Sequence, residues 1–263
     1  TGVGKTVVTA MLLKKYREAG VAAFPFKPVA SGTVRLNGHQ AWADEMFLSV
    51  AAGVDGQDAG LYRFEKPLSP HLAAATEGVV IDVAAIAEKF QALKEEHGAV
   101  LVEGAGGIMA PVNGEATFLE VTAALGLPVV VVASSRLGTL NHTALTVDAL
   151  RGRGLTVAGL VVNRFPREPG EAERLNPGEL EKLTGVPLLG VVPEIEVAVE
   201  ELRTGDIDSH LDSIDLSLLN GDGRNLSGPP ADRAVSRSNS QSREYANRDY
   251  NEVLEADRDY VWH

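Results

Sequence analysis

Thr1-Gly2-Val3-Gly4-Lys5-Thr6, followed by a stretch of helical character over residues 7–17, decides how this chain is read. A glycine-rich turn that runs straight into a helix N-terminus aims several backbone N–H groups at one point. A lysine and a hydroxyl at the same turn complete a cradle for a nucleoside triphosphate. Gly2, Val3 and Gly4 then supply backbone, Lys5 reaches the β- and γ-phosphates, and the Thr6 hydroxyl ligates Mg²⁺. The same six residues also fit a glycine turn ahead of an ordinary amphipathic helix, so the rest of the chain has to choose. A phosphate-binding loop follows a buried strand and opens on a further glycine. This sequence starts inside the loop, so it is expected to be a fragment whose sheet lacks one central strand.

The 263 residues, 44 % of them hydrophobic, suit one large α/β domain or one domain with an appendage. A formal net charge of −12 repels phosphate backbones and anionic lipid, which argues against nucleic-acid or membrane partners. There is no cysteine, which removes disulfides, thiolate metal sites and cysteine nucleophiles together and suits a reducing, cytoplasmic setting. The longest apolar run, residues 127–133, has the length of a strand and not of a membrane-spanning helix.

Apolar bursts at 21–26, 99–102, 128–133, 157–162 and 187–191 alternate with helical segments at 41–52, 83–96, 118–125, 140–151 and 177–184. That alternation predicts an α/β fold, a doubly wound and mostly parallel sheet of the P-loop NTPase type. Near residue 219 the composition shifts. Residues 1–219 are read as the domain, 220–243, rich in Gly, Ser, Pro, Asn and Asp, as a flexible linker, and 244–263 as a charged tail.

Ligands of such sheets sit beyond the carboxyl ends of the strands. Lys27, directly after an expected strand and before Pro28, is aimed over that edge, with Ser31 and Gly32 in the same loop; the plain alternative is a surface lysine before a turn. Glu103 follows a buried strand and precedes Gly104, Gly106 and Gly107, where a buried charge needs a partner and a divalent ion held by Thr6 offers one. Asp44, on an expected helix, carries no weight alone. At the helix start after Gly138, free N–H groups suit a carboxylate, although Thr139 there also reads as a simple cap. Asn163, at a strand end, offers an amide to a base edge or forms a turn. His71, in Ser69-Pro70-His71, lines a cleft or serves structure.

Taken in order, Gly2-Val3-Gly4-Lys5-Thr6, Lys27-Pro28-Val29-Ala30-Ser31-Gly32, Ser69-Pro70-His71, Val102-Glu103-Gly104-Ala105-Gly106-Gly107, Leu137-Gly138-Thr139-Leu140-Asn141-His142 and Asn163 resemble the dethiobiotin synthetase family from residue 1 to about 219. The resemblance implies closure of the ureido ring of dethiobiotin from 7,8-diaminopelargonic acid and CO₂, with ATP and Mg²⁺, through a carbamate and its phosphorylated form. It further implies that Lys5 and Gly2, Val3, Gly4, Thr6 and Gly106 bind the nucleotide phosphates, and that Thr6, Asp44 and Glu103 hold the metal. By the same resemblance Lys27 stabilises the carbamate, Thr1 and Ser31 contact the diamine end, and Asn163 contacts adenine. Gly138, Thr139, Leu140 and Asn141 take the substrate carboxylate across a homodimer interface. A second, shorter likeness links the tail, Asp257-Arg258-Asp259-Tyr260-Val261-Trp262-His263, to the opening of diaminopelargonic acid aminotransferase, which implies a fused enzyme.

Two other classes remain in play. Partitioning-type ATPases open on a related loop, but the Lys27–Gly32 stretch and the lack of a basic or amphipathic segment argue against a switch acting on DNA or membrane. A fragment deprived of a central strand is also expected to be at risk of inactivity.

Overall fold

The computed structural model describes residues 2–36, 39–54, 59–197, 207–217 and 260–262. Helix α1, Lys5–Glu18, grows directly out of the glycine turn: Gly4, at φ 88°, takes a left-handed conformation that few other residues adopt without strain. The helix buries Val8, Met11, Leu12 and Tyr16, and it ends with Lys15 and Arg17 near its negative pole.

The strands that follow are β1 (Ala23–Ser31), β2 (Val34–Leu36), β3 (His39–Ala41), β4 (Gly60–Phe64), β5 (Ala99–Glu103), β6 (Val129–Ser134), β7 (Val157–Phe165), β8 (Leu188–Pro193) and β9 (Tyr260–Trp262). The helices after α1 are α2 (Ala43–Ala52), α3 (Pro70–Thr76), α4 (Val83–Glu96), α5 (Phe118–Leu125), α6 (Thr139–Gly152) and α7 (Glu171–Thr184), with a 3₁₀ turn at Ile207–Ser213. Seven strands form one sheet in the order β4-β1-β5-β9-β6-β7-β8, and every pairing in it is parallel. Side chains alternate between two cores. Val100, Val102, Val129 and Val131 face the layer of α3 to α7, while Ala99, Leu101, Val130 and Val132 face α1, α2 and the 3₁₀ turn. This is the doubly wound sheet expected from the apolar bursts.

The sheet does not lack the central strand expected to be missing, because the tail takes that place as β9. The backbone of Tyr260–Trp262 lies between β5 and β6, with Leu101 opposite Tyr260 and Val130 opposite Trp262. The proposed linker and the remainder of the tail lie outside the described residues.

Several boundaries differ from expectation. β1 does not stop at Phe26, because it changes partner: residues Ala23 to Phe26 pair with β5 and Lys27 to Ser31 pair with β4, a strand that the sequence pattern did not reveal. β7 likewise runs on to Phe165, so Asn163 lies inside a strand. Pro177 suggested a helix start, yet α7 begins at Glu171 and carries the proline inside it, buried. Among the described residues no helix is long and apolar enough to cross a membrane.

Candidate active site

The two halves of the site are brought together by register. Phe26 lies opposite Val102 in the β1–β5 ladder, so the next residues, Lys27 and Glu103, stand abreast where β5 ends. Both are almost fully buried, at 4 % and 1 % exposure. Lys27 Nζ donates to Glu103 Oε1 at 2.6 Å and pairs with Asp44 Oδ2 at 2.7 Å from the first turn of α2. Thr6 Oγ1 donates to the same Glu103 Oε1 at 2.9 Å, and Lys5 Nζ donates to the carbonyl of Gly106 at 2.7 Å. Lys5, Thr6, Lys27, Asp44, Glu103 and Gly106, from four separate stretches of chain, therefore meet at one rim.

Lys27 is not the loop cation expected from the sequence. It sits within the strand, its backbone N–H bonded to Ala59 O at 2.6 Å. Burial by itself would depress its ammonium, but Glu103 and Asp44 more than compensate and hold its pKa above the ordinary lysine value. Asp44 shows the mirror case: burial would raise it, and Lys27, then Lys5 and the Thr6 hydroxyl, bring it below the usual carboxylate range. Among the described residues Lys5 has no such close anion. Desolvation dominates there and lowers its pKa despite the more distant Glu103 and Asp44.

The donor set fits a hard divalent ion. Thr6, Asp44 and Glu103 offer only oxygen, and Glu103 Oε2 is buried without a hydrogen-bond partner among the described residues. Mg²⁺ is commonly held by one or two carboxylates together with substrate phosphates. Among the described residues no cluster of three or more His, Cys, Asp or Glu gathers to hold a metal.

Asn163 takes a third role beside the two considered. It is buried in β7, and its side-chain amide donates to the carbonyls of Val3 at 2.9 Å and Gly4 at 3.3 Å, which holds the glycine turn in place. Ser31, at the end of β1, donates through Oγ to Leu68 O at 2.8 Å. Ser69 Oγ and His71 Nδ1 share a hydrogen bond at 3.3 Å. Thr1 lies outside the described residues.

Comparison with known proteins settles the family. A family model described as an AAA domain matches residues 1–201. The ATP-dependent dethiobiotin synthetase BioD of Anaeromyxobacter dehalogenans is 43 % identical over 209 residues, covering 79 % of this chain and 92 % of that protein. The enzyme of the same name from Bacillus subtilis is 36 % identical over 225 residues, covering 83 % and 93 %. This chain belongs to the dethiobiotin synthetase family. Among solved structures, the septum site-determining protein MinD of Pyrococcus horikoshii, complexed with Mg-ADP, superposes with a TM-score of 0.50 at 19 % identity over 82 % of this chain and 83 % of that one. At that identity the likeness speaks for a shared fold alone.

The start of α6 follows the end of β6. Gly138, at φ 95°, is the cap residue, so Thr139 is not the cap that the sequence allowed for; it is the first helical residue and is buried. Leu140 is half-buried against the core and Asn141 is exposed. Two features of the family member had no sequence signal. Arg164 is, among the described residues, the non-glycine residue held at positive φ, 57°, immediately after Asn163, and Ser135 Oγ donates to its carbonyl at 3.3 Å. Glu45 and Arg63 form a pair beside Asp44, hidden because β4 was not legible.

Proposed function

We propose that this chain catalyses the reaction of its family, the ATP- and Mg²⁺-dependent carboxylation and ring closure of 7,8-diaminopelargonic acid to dethiobiotin in biotin biosynthesis. The observation that carries the reading is the convergence of Lys5, Thr6, Lys27, Asp44 and Glu103 on one rim, with Lys27 and Glu103 buried in it. Phosphoryl transfer asks little covalent chemistry of the protein and much positioning and charge stabilisation. Thr6, Asp44 and Glu103 would hold Mg²⁺, which would supply positive charge against the phosphates.

The chain's own groups account for the remaining steps. The glycine turn presents its N–H groups to the phosphates, and Asn163 fixes that turn by holding the carbonyls of Val3 and Gly4. Lys5 swaps the neutral Gly106 carbonyl for a phosphate oxygen, which relieves a cation left costly by burial. Lys27 stays protonated and faces the negative charge that develops as one substrate amine becomes a carbamate and is phosphorylated. The second amine then displaces phosphate, so no protein nucleophile is required. Ser31 and Thr1 are proposed to hold the diamine end, and Gly2, Val3 and Gly106 to border the nucleotide.

We further propose a homodimer in which Gly138, Thr139, Leu140 and Asn141 receive the substrate carboxylate from the partner's site. The α6 N-terminus suits an anion, and the neighbouring Leu137 is 90 % exposed, a large apolar side chain that a second subunit would cover. The tail is proposed to open a fused aminotransferase, and the acidic, cysteine-free chain to act in the cytoplasm. Sequencing the source transcript past His263 tests the fusion, which a stop codon there ends.

Incubation with ATP, Mg²⁺, bicarbonate and the diamine should release ADP only when diamine is present and should yield dethiobiotin. ADP release indifferent to the diamine would reject the synthetase in favour of a nucleotide switch.

A further inference from the structure

The site depends on Asp44 staying 2.7 Å from Lys27, although Asp44 is carried by the first turn of a ten-residue helix and is 43 % exposed. What holds that turn is a second charged pair, one residue away. Glu45 is 3 % exposed, and its Oε2 accepts from Arg63 Nε on β4 at 2.7 Å. A methyl group at Gly60 would lie 2.2 Å from Glu45 Oε1 and 2.5 Å from its Cδ, so the carboxylate rests directly on the β4 backbone. Gly60 is the register partner of Lys27. The contact therefore fixes α2 against the sheet at the level of the catalytic lysine.

A neighbouring contact secures the same turn. Trp42, at the cap of α2, donates through Nε1 to Phe64 O at 3.1 Å, and the Arg63 guanidinium lies 5.9 Å from the Trp42 ring centroid. Asp44 is thus bracketed by two residues tied to β4. A buried ion pair is a weak source of stability compared with an apolar replacement of like volume, so its presence beside a reactive group calls for another explanation. Arginine matters here, because its planar fork fixes direction where a lysine would supply charge alone.

We infer that Glu45 and Arg63, seated on Gly60, are positioning residues that set the placement of Asp44 against Lys27 and the metal. This rests on the reading of Asp44 as a metal-holding group. A side chain at position 60 would have to displace the buried Glu45 carboxylate from the β4 backbone.

The test uses the full chain with Arg63→Lys, Arg63→Gln and the double variant Glu45→Gln with Arg63→Gln, the last removing both charges so that neither is left buried alone. Three quantities are read: Mn²⁺ affinity in the presence of ADP by electron paramagnetic resonance, Mg²⁺ dependence of turnover, and kcat against KM for the diamine. Supporting shells around metal ligands typically govern metal affinity by about 10- to 100-fold, so a weakening of at least ~10-fold is expected for Arg63→Lys. The kcat should fall while KM for the diamine and metal-free nucleotide binding stay as in the wild type. If Arg63→Gln does not fold, Arg63→Lys and the double variant carry the test. Unchanged Mn²⁺ affinity in folded Arg63→Lys would overturn the inference. A wild-type protein without diamine-dependent turnover would instead strike the proposed function, while the Mn²⁺ measurement still decides the role of the pair.

Discussion

Two clusters in this fold use the same parts, a carboxylate, a threonine hydroxyl and a cation, to opposite ends. At the rim, Glu103 meets Thr6 and Lys27 in the interior, and one of its oxygens has no hydrogen-bond partner among the described residues. At the start of α5, Glu120 meets Thr117 and Arg153 near the surface: its Oε2 accepts from the Thr117 N–H at 2.8 Å and hydroxyl at 2.7 Å, and Oε1 accepts from Arg153. The second cluster is closed, each oxygen answered by the chain itself. The first has bonding capacity to spare in a place where an unmet carboxylate oxygen is expensive. The contrast separates a group that caps a helix from one that awaits a ligand.

The sharpest way to break the comparison is to remove the rim's cation. Lys27→Gln should reduce turnover by roughly 10²- to 10³-fold, the scale of losing one preorganised stabiliser of developing charge, while ATP affinity changes far less. It should also destabilise the protein by roughly 3 kcal/mol, because Glu103 is left buried without its counter-charge. Urea unfolding with and without Mg²⁺ and ADP checks the second point, since bound metal should restore part of the loss. Equal losses in turnover and nucleotide affinity would mean that Lys27 serves binding alone.

Next in size is one substitution made twice. Glu103→Gln should raise the Mg²⁺ concentration needed for half-maximal activity by at least ~10-fold, and Glu120→Gln should leave that titration where it is. The charges of Asp44 and Lys27 should also be flat with pH across the working range. Asp44, held below its ordinary value, contributes stability that is complete above the unfolded carboxylate range and is lost as pH falls through its folded pKa. Lys27, held above its ordinary value, contributes stability that is complete below the unfolded lysine range and is lost as pH rises through its folded pKa. Between about pH 5 and pH 9 neither changes charge, so a bell-shaped activity profile inside that window would assign the limiting proton to another group.

The layout of the sheet and most of the helices were legible because their patterns are strong: residues 83–96 and 118–125 were read with the ends that the structure gives them. The rim was legible as residue types but not as geometry. Lys27 reads as a loop cation because the apolar burst at 21–26 ends just before it, whereas pairing with β4 carries β1 on to Ser31. β4 itself, Gly60–Phe64, is too short and too mixed in character to announce itself, and with it the Glu45–Arg63 pair stayed hidden. Asn163 was read as a turn or a base contact, since nothing local shows that Val3 and Gly4, some 160 positions earlier, would be its acceptors. Long-range partners leave little trace in a single sequence.

Asn163 provides an intermediate test, because it is closed like the Glu120 cluster yet touches the phosphate-binding turn. Asn163→Ala removes the donor to two carbonyls of that turn and should weaken ATP binding by about 10-fold, near the worth of one or two hydrogen bonds, with kcat at saturating ATP little changed. Isothermal titration separates the two effects. A Cβ at Gly4 would stand 2.2 Å from Asn163 Nδ2, in a backbone at φ 88°, so Gly4→Ala should exceed Asn163→Ala in the same assay.

The smallest effect belongs to the closed cluster. Thr117 and Glu120 form a reciprocal cap at the start of α5, and the hydrogen bonds from Thr117, then Arg153, bring the Glu120 pKa from 4.5 down to about 2. A carboxylate so depressed contributes stability that is complete above pH 4.5 and fades as pH falls toward 2. Thr117→Ala should therefore cost about 1 kcal/mol at neutral pH with activity intact, and the gap from wild type should narrow in acid. Thermal unfolding of both proteins at pH 7 and at the lowest pH that keeps them folded would show it. Should Thr117→Ala also alter the Mg²⁺ titration, the division between a cap that answers only to its helix and a rim that answers to its ligand would fail.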